Sequence, residues 1–238
     1  MLACKTEKIS NQKAALITAI SMLIMIICAA FSVGVVDSKL FVANDATVTF
    51  NNIKNSISLF KAGIFSWLII LICDIVISWS LYIYLKEIHN NLALLGSWFR
   101  LIYSTILAIS ILNLILIAAL LNNNLQLLYI EPNESKSLVM LFTIGFHKMW
   151  SFGLIIFGIH LFIIGCLVIK SKFIPKILGI LLLIGSFGYM LIHSMNVFLP
   201  QYQSITKIFE SILNLPMIFG ELGLGIWLLI KGIKSPKY

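Results

Sequence analysis

The sequence predicts an all-α, polytopic membrane protein built as a bundle of six transmembrane helices. Of its 238 residues, 60% are hydrophobic and only 11% are charged, whereas soluble domains carry about 25% charged residues. The chain therefore has too little polar surface to cover a water-soluble globule, and we expect lipid to be its main partner. The apolar residues also fall into six long runs, and a helical crossing needs about 20 such residues.

The six runs extend through the whole chain, which we interpret as one transmembrane domain over residues 1–238. The predicted spans are residues 14–36, 59–85, 92–121, 138–169, 175–199 and 212–230. The first run follows a basic tail, as in a signal peptide, but it is longer than a signal core of roughly 7 to 15 residues. We therefore expect it to remain in the membrane. The short KEIHNN turn makes the second and third spans antiparallel neighbours.

A polar, asparagine-rich segment separates the first two spans. Between residues 37 and 58 it carries Phe50, Ile53 and Ile57, and Phe60 continues the same helical spacing. Apolar residues at this spacing predict an amphipathic helix that lies at the membrane interface before the second span.

Lysines at the ends of the spans indicate the orientation of the bundle. One side carries more of them than the other, and the richer side holds both chain ends (Lys5, Lys8, Lys13, Lys86, Lys170, Lys172, Lys176, Lys231, Lys234 and Lys237). Because cytoplasmic segments are enriched in lysine and arginine, we expect both termini in the cytoplasm. The net charge of +8 has this origin, since no basic face broad enough for nucleic acid is present.

The cysteines and histidines predict no metal and no cofactor. No CxxC pair occurs, so we expect neither a disulfide nor a structural zinc site. His147 and His160 are thirteen residues apart and point about 140° away from each other on one helix. His147 and His193 lie in the outer parts of neighbouring spans, but two histidines without a third ligand are weak support for a metal or haem. No nucleotide-binding loop or hydrolase motif occurs in the sequence, so an enzyme is not favoured.

Four ionisable residues lie well inside the predicted spans, away from the span ends, where a charge costs about 2.5 to 3.5 kcal/mol or more. At 1.5 Å per residue, Asp74 lies about 18 Å from the inner boundary, Arg100 about 12 Å, and His160 and Glu221 about 15 Å. All four thus share one layer, and Arg100 is long enough to reach Asp74. Each should face the bundle interior and find a partner there.

The helix faces around this layer are polar or made of small residues. Gly96, Arg100, Ser104 and Ala108 recur at intervals of four on the third span, which lets another helix approach closely. Glu221 lies among glycines, one turn beyond Pro216. The fifth span carries a polar stripe toward its outer end, formed by Ser186, Tyr189, His193 and Asn196. Together these groups predict a polar crevice within the membrane.

Each interior residue also has a purely structural interpretation. Asp74 and Arg100 are expected first as a clamp between two helices, because buried opposite charges often serve only to fix packing. A lone histidine on an apolar helix is more often a satisfied core residue than a ligand. Glu221 is the best candidate for chemistry, because two carboxylates near one cation favour the protonated form of one of them. A neutral Glu221 bonded to a kinked backbone is an equal alternative.

Four segments resemble one family of bacterial integral membrane proteins. They are CDIVISWSLYIYLKEIHNNLALL, GSWFRLIYSTILAISILN, FGLIIFGIHLFIIGCLVIKSKFIPKILGILLLIGSFGYML and LPMIFGELGLGIWLLIKG. The family is known as domain of unknown function 4386. The resemblance implies a six-span bundle in a bacterial plasma membrane, with Asp74, Arg100, His160 and Glu221 on the family pattern, and it implies no activity, ligand or partner. The segment from Asp37 to Ser58 is its least typical part.

These observations favour a protein that binds or translocates a small solute or a proton through the crevice around Asp74, Arg100 and Glu221. The alternative is a structural or accessory membrane protein in which the same charges are packing clamps. A membrane-embedded enzyme or cofactor protein comes third. The sequence names neither a solute nor an oligomeric state.

The lysine distribution generates a prediction about topology. Reporter fusions after Tyr238 and within the KSKFIPK turn should report cytoplasm, and a fusion after Glu131 should report the opposite side, because lysine-rich segments stay inside. The measurement is reporter activity in intact cells. A C-terminus on the outer side would overturn the six-span topology.

Overall fold

The fold is entirely helical over the residues that the computed structural model describes, 9–121 and 131–233, and no strand occurs among them. Helix α1 spans Asn11–Phe31 and continues through a π-helical turn, Ser32–Asp37, to Leu40. A short helix, α2, spans Ala46–Asn55. The long segment Ile57–Leu120 follows, and then α5, Pro132–Lys170; α6, Lys176–Phe198; and α7, Gln203–Ile233.

The segment Ile57–Leu120 is two helices joined at a sharp turn. His89 has φ −163° and ψ 101°, which is not helical, and an unbroken helix of 64 residues would be about 96 Å long, three times the hydrocarbon thickness. We name its two parts α3 (57–88) and α4 (90–120). Ser78 Oγ donates to the carbonyl of Ser97 at 2.8 Å, and Ser97 Oγ donates back to the carbonyl of Ser78 at 3.0 Å. These bonds join α3 and α4 as the antiparallel pair that the KEIHNN turn predicts.

Five helical segments of the described residues are long and apolar enough to cross a membrane, and the break at His89 makes the longest of them two helices. Each predicted span falls on one of these six. The sixth helix differs most, because α7 begins at Gln203 rather than near residue 212 and runs through Pro216 without a break. The polar residues of its first turns resemble a loop in sequence, but they extend a helix whose buried Thr206 faces the bundle.

The predicted amphipathic helix corresponds to α2 and the start of α3. Ile53 and Phe60 are buried, and α2 packs against α5. Asp45 begins α2 by accepting a hydrogen bond from the Val48 N–H at 2.9 Å, as N-capping residues do. The apolar face of this segment therefore covers the bundle.

The helices close into a ring. Helix α1 packs on the α3–α4 pair and on α7, α5 lies between that pair and α6, and α6 packs on α7. Thr18 and Ser80 link α1 to α3, with their hydroxyl oxygens 2.7 Å apart. Gln12 Nε2 donates to the carbonyl of Gly232 at 3.0 Å and links α1 to α7. We call the end with α2 and the start of α5 the outer end, following the orientation predicted from the lysines, and the end with residues 171–175 the inner end.

Glycines bring α5 and α6 into backbone contact. A Cβ atom on Gly158 would lie 3.0 Å from the carbonyl oxygen of Ser186 and 3.1 Å from the backbone nitrogen of Met190. A Cβ on Gly165 would lie 3.1 Å from the carbonyl oxygen of Gly179. Small residues that permit such approach are typical of helix pairs in membranes, where lipid tails are as apolar as side chains.

Gly158→Ala should destabilise the protein by about 1 to 3 kcal/mol, because the added methyl group meets backbone atoms that cannot rotate away. Gly34→Ala is the matched control, since a Cβ there would have no atom within 4 Å and alanine favours helix. The free energy of unfolding in mixed detergent micelles measures both. Equal stability of the two variants would contradict the close packing of α5 and α6.

Candidate functional site

Arg100 and Asp74 form an ion pair in the interior of the bundle. Arg100 Nη2 lies 2.5 Å from Asp74 Oδ1, and both residues are 1% exposed. The pair joins α4 to α3, so the predicted contact between these two residues is confirmed. Gly96, one turn from Arg100, makes room for α5, because a Cβ at Gly96 would lie 3.3 Å from the side chains of Ile163 and Ile164.

His160 brings α5 to the same pair. Its Nδ1 lies 2.8 Å from the carbonyl oxygen of Gly96, and its Nε2 lies 3.2 Å from Arg100 Nη1. A carbonyl only accepts and a guanidinium only donates, so Nδ1 must carry the proton and Nε2 must offer its lone pair. His160 is thus a neutral imidazole with both nitrogens satisfied, which is the structural interpretation that its sequence context favoured.

The surroundings seal this cluster of Asp74, Arg100 and His160, which we call the buried triad. The guanidinium carbon of Arg100 lies 5.2 Å from the centre of the Phe157 ring, a distance at which a ring face attracts a cation. Met25 of α1 places its sulfur 3.7 Å from Arg100 Nη2. Among the described residues, Asp74 Oδ2 and Arg100 Nε have no hydrogen-bond partner. The triad therefore contacts four helices, and all three of its members are 1% exposed.

Glu221 lies apart from the triad and has a different partner. Its Oε1 accepts a hydrogen bond from the Tyr189 hydroxyl at 2.8 Å, and the residue is only half-buried. The ring centre of Tyr189 is 5.2 Å from that of Phe157, so Tyr189 contacts both Glu221 and the ring that lies against Arg100. The predicted sharing of Arg100 between two carboxylates is not seen as a contact, because tyrosine satisfies Glu221.

The predicted polar stripe on α6 faces α5 and α7. Ser186 Oγ bonds the carbonyl of Leu183 on its own helix. The His193 Nδ1 and Ser151 Oγ atoms are 2.9 Å apart, and Asn196 Nδ2 donates to Glu210 at 3.4 Å. The stripe therefore runs along α6 from Ser186 toward the outer end, and Tyr189 joins it to Glu221 of α7.

Histidines do not gather around a common centre in the part of the chain that the structure describes. Over residues 9–121 and 131–233, no three histidine, cysteine, aspartate or glutamate side chains lie close enough to hold a metal ion. His147 Nδ1 lies 2.8 Å from the carbonyl oxygen of Thr143, and its Nε2 lies 3.5 Å from Asp37 Oδ2. His193 has Ser151 instead.

Comparison with known proteins assigns the family. The family model described as domain of unknown function 4386 matches residues 17–232. The chain belongs to this family. It is also 30% identical over 172 residues to a protein of Archaeoglobus fulgidus described as uncharacterized, which covers 72% of this chain and 83% of the relative. No solved structure matches.

Sequence reasoning missed two features of this member of the domain of unknown function 4386 family. One is the pair of reciprocal hydrogen bonds between Ser78 and Ser97, which ordinary serines in an apolar run do not reveal. The other is a group of cavities at the outer end, around Asp37, His147 and Lys148. The sequence feature that could have indicated these cavities is Lys148, a lysine within an apolar run.

Arg100→Leu should destabilise the protein by about 3 to 5 kcal/mol, because it leaves the Asp74 carboxylate buried without its cation. Adding Asp74→Asn should recover part of that loss. The measurement is a double-mutant cycle on the free energy of unfolding in mixed micelles. Losses that simply add in the double variant would show that the two side chains are not coupled.

Proposed function

We propose that the protein handles a proton, or a small solute coupled to a proton, on the polar route that leads from Glu221 to the outer end of the bundle. The exposure of Glu221 and its hydrogen-bond partner are the main support for the proposal. It is the half-buried member of the four interior ionisable residues, and a hydroxyl rather than a cation is its bonded partner. A carboxyl group bonded in this way can exist with or without its proton, whereas Asp74 is held by Arg100.

A route from Glu221 toward the outer end supports the same proposal. Tyr189 and His193 stack one turn apart on α6, with ring centres 5.8 Å apart and planes 20° apart. His193 and Ser151 line a cavity of about 260 Å³ together with His147, Lys148 and Asn196. The step between Tyr189 and His193 is a ring contact without a hydrogen bond, so proton passage there requires a water molecule or a side-chain rotation.

The second candidate function is structural, and the burial of the triad favours it for those three residues. Hydrogen bonds join Asp74, Arg100 and His160 to one another and to the Gly96 carbonyl, and side chains of α1 and α5 enclose them. A sealed ion pair of this kind fixes the packing of α3, α4 and α5. In our proposal the triad therefore fixes helix packing, and Glu221 is the group that binds and releases the proton.

Infrared difference spectroscopy of the protein in nanodiscs tests the proposal. A carboxyl C=O band should grow in acidic buffer and shrink in alkaline buffer, and Glu221→Gln should remove it without loss of stability. Glu210→Gln, which changes an outer-end carboxylate bonded to Asn196, is the matched control and should leave the band. Tyr189→Phe should shift it, because the band loses its hydrogen-bond donor.

Proteoliposomes give a second readout of the same change. Dissipation of an imposed pH gradient should be lost in Glu221→Gln and kept in Glu210→Gln. A Glu221 band that stays the same at every pH would contradict proton handling and leave the structural function. A Glu221→Gln protein that fails to fold would contradict both, because it would mean that the group is ionised and paired.

A further inference from the structure

A cavity of about 640 Å³ opens at the outer end of the bundle. The turn after α1, the segment before α2, α5 and the first residue of α7 form its walls. Most of the lining is apolar and includes Val33, Phe41, Met140, Ile144 and Trp150. Sites for small molecules have this size and this composition, with a few polar groups that fix the orientation of the ligand.

Lys148 is the polar group common to this cavity and its two neighbours. It lines the 640 Å³ cavity, the cavity of about 260 Å³ beside His193, and a third of about 110 Å³ beside Pro200. The side chain is exposed. Its ammonium group donates to the backbone carbonyl of Asn196, which uses one of its three N–H donors.

The charge of Lys148 is not neutralised within the described part of the chain. No carboxylate there lies within ion-pair distance of its ammonium group, whereas the nearby Asp37 is paired with His147 at 3.5 Å. Asp37 lines the same cavity, so the lining holds a carboxylate as well, and Lys148 is its charged side chain without an ion-pair partner among the described residues. An anionic group is the complement of that charge, and charge-assisted hydrogen bonds from an ammonium group are the stronger kind.

The depth of Lys148 sets where such a ligand would lie. Counting from Lys170 at 1.5 Å per residue, Lys148 is about 33 Å along α5, close to the outer edge of a hydrocarbon core of about 30 Å. Trp150 lies near the same level, where tryptophan is enriched in membrane proteins. An anionic group at Lys148 would be at the headgroup level, and the apolar wall runs from Trp150 outward to Met140, about 12 Å beyond Lys148 along α5 on the same count.

We propose that this cavity binds a single-chain amphipathic anion, whose carboxylate or phosphate contacts Lys148 and whose alkyl chain packs against Phe41, Met140 and Trp150. The ligand comes either from the membrane, as a lipid-derived chain, or from solution. The proposal goes beyond proton handling, because neither Glu221 nor Tyr189 lines the cavity, and either proposal can fail without the other.

Quenching of tryptophan fluorescence by dibromostearate tests the site in the intact protein in non-ionic detergent. We expect saturable quenching, and loss of its saturable part in Trp150→Phe. Lys148→Gln should weaken binding by tenfold or more. Lys207→Gln is the matched control, because Lys207 is an exposed outer-end lysine that lines none of the three cavities. Ile144→Trp, at an exposed wall position, should block binding by narrowing the cavity.

The remaining measurements distinguish recognition of the anionic group from adsorption of the alkyl chain alone. The methyl ester of dibromostearate should bind at least tenfold more weakly than the acid, and equal binding of the two would overturn the role of Lys148. Inorganic phosphate should not displace the acid, and full displacement would overturn the need for an apolar chain. Saturable quenching that persists in both Trp150→Phe and Ile144→Trp would place the site elsewhere and overturn the proposal.

Discussion

The ion pair between Asp74 and Arg100 is the interaction on which the arrangement of the central helices depends. In a low-dielectric interior an unpaired charge is very costly, so the fold must bring these two side chains into contact. Arginine suits this role because its planar fork stays charged and presents several donors at once. Nη2 of Arg100 bonds Asp74 of α3, and Nη1 bonds His160 of α5. The register of three helices is thus fixed around a single guanidinium group.

The second constraint is close approach of backbones, which positions the groups outside the triad. Helices α6 and α7 meet at glycines as α5 and α6 do: a Cβ on Gly220 would lie 3.2 Å from backbone atoms of Leu181 and Leu182. This approach brings the Tyr189 hydroxyl to Glu221 across the α6–α7 contact. The interior is therefore divided between a sealed cluster on α3, α4 and α5 and a half-open pair on α6 and α7. The first holds the bundle, and in our proposal the second supplies the carboxyl group that exchanges a proton.

Much of this arrangement could be predicted from residue type and spacing. Length and hydropathy predict the helices, and a rise of 1.5 Å per residue predicts that Asp74 and Arg100 lie in one layer, because helices in a membrane share a common frame. The start of α7 was missed, since a polar helical turn at the interface resembles a loop in sequence. The spacing of residues does not identify Tyr189 as the partner of Glu221. Which neighbour satisfies a side chain depends on how helices rotate about their axes, and that rotation is set by packing contacts between residues far apart in the chain.

The outer end was the least predictable part. The pairing of Asp37 with His147 depends on a turn after α1 and a helix that starts about a hundred residues later, and a cavity is a property of the packing of several elements. Lys148 is one lysine within an apolar run, which does not by itself indicate a cavity. Its place at the meeting point of three cavities follows from the way that α5, α6 and the start of α7 come together.

The single arginine of this chain fixes the packing of the central helices through its ion pair with Asp74. Solid-state NMR of the protein in lipid, with ¹⁵N-labelled arginine and ¹³C-carboxyl-labelled aspartate, measures this contact directly, because only Arg100 contributes a guanidinium signal. We expect a strong dipolar coupling between a guanidinium nitrogen and an aspartate carboxyl carbon, absent in Asp74→Asn, and slow exchange of the guanidinium protons with water. A guanidinium group that exchanges rapidly and shows no such coupling would contradict this pairing.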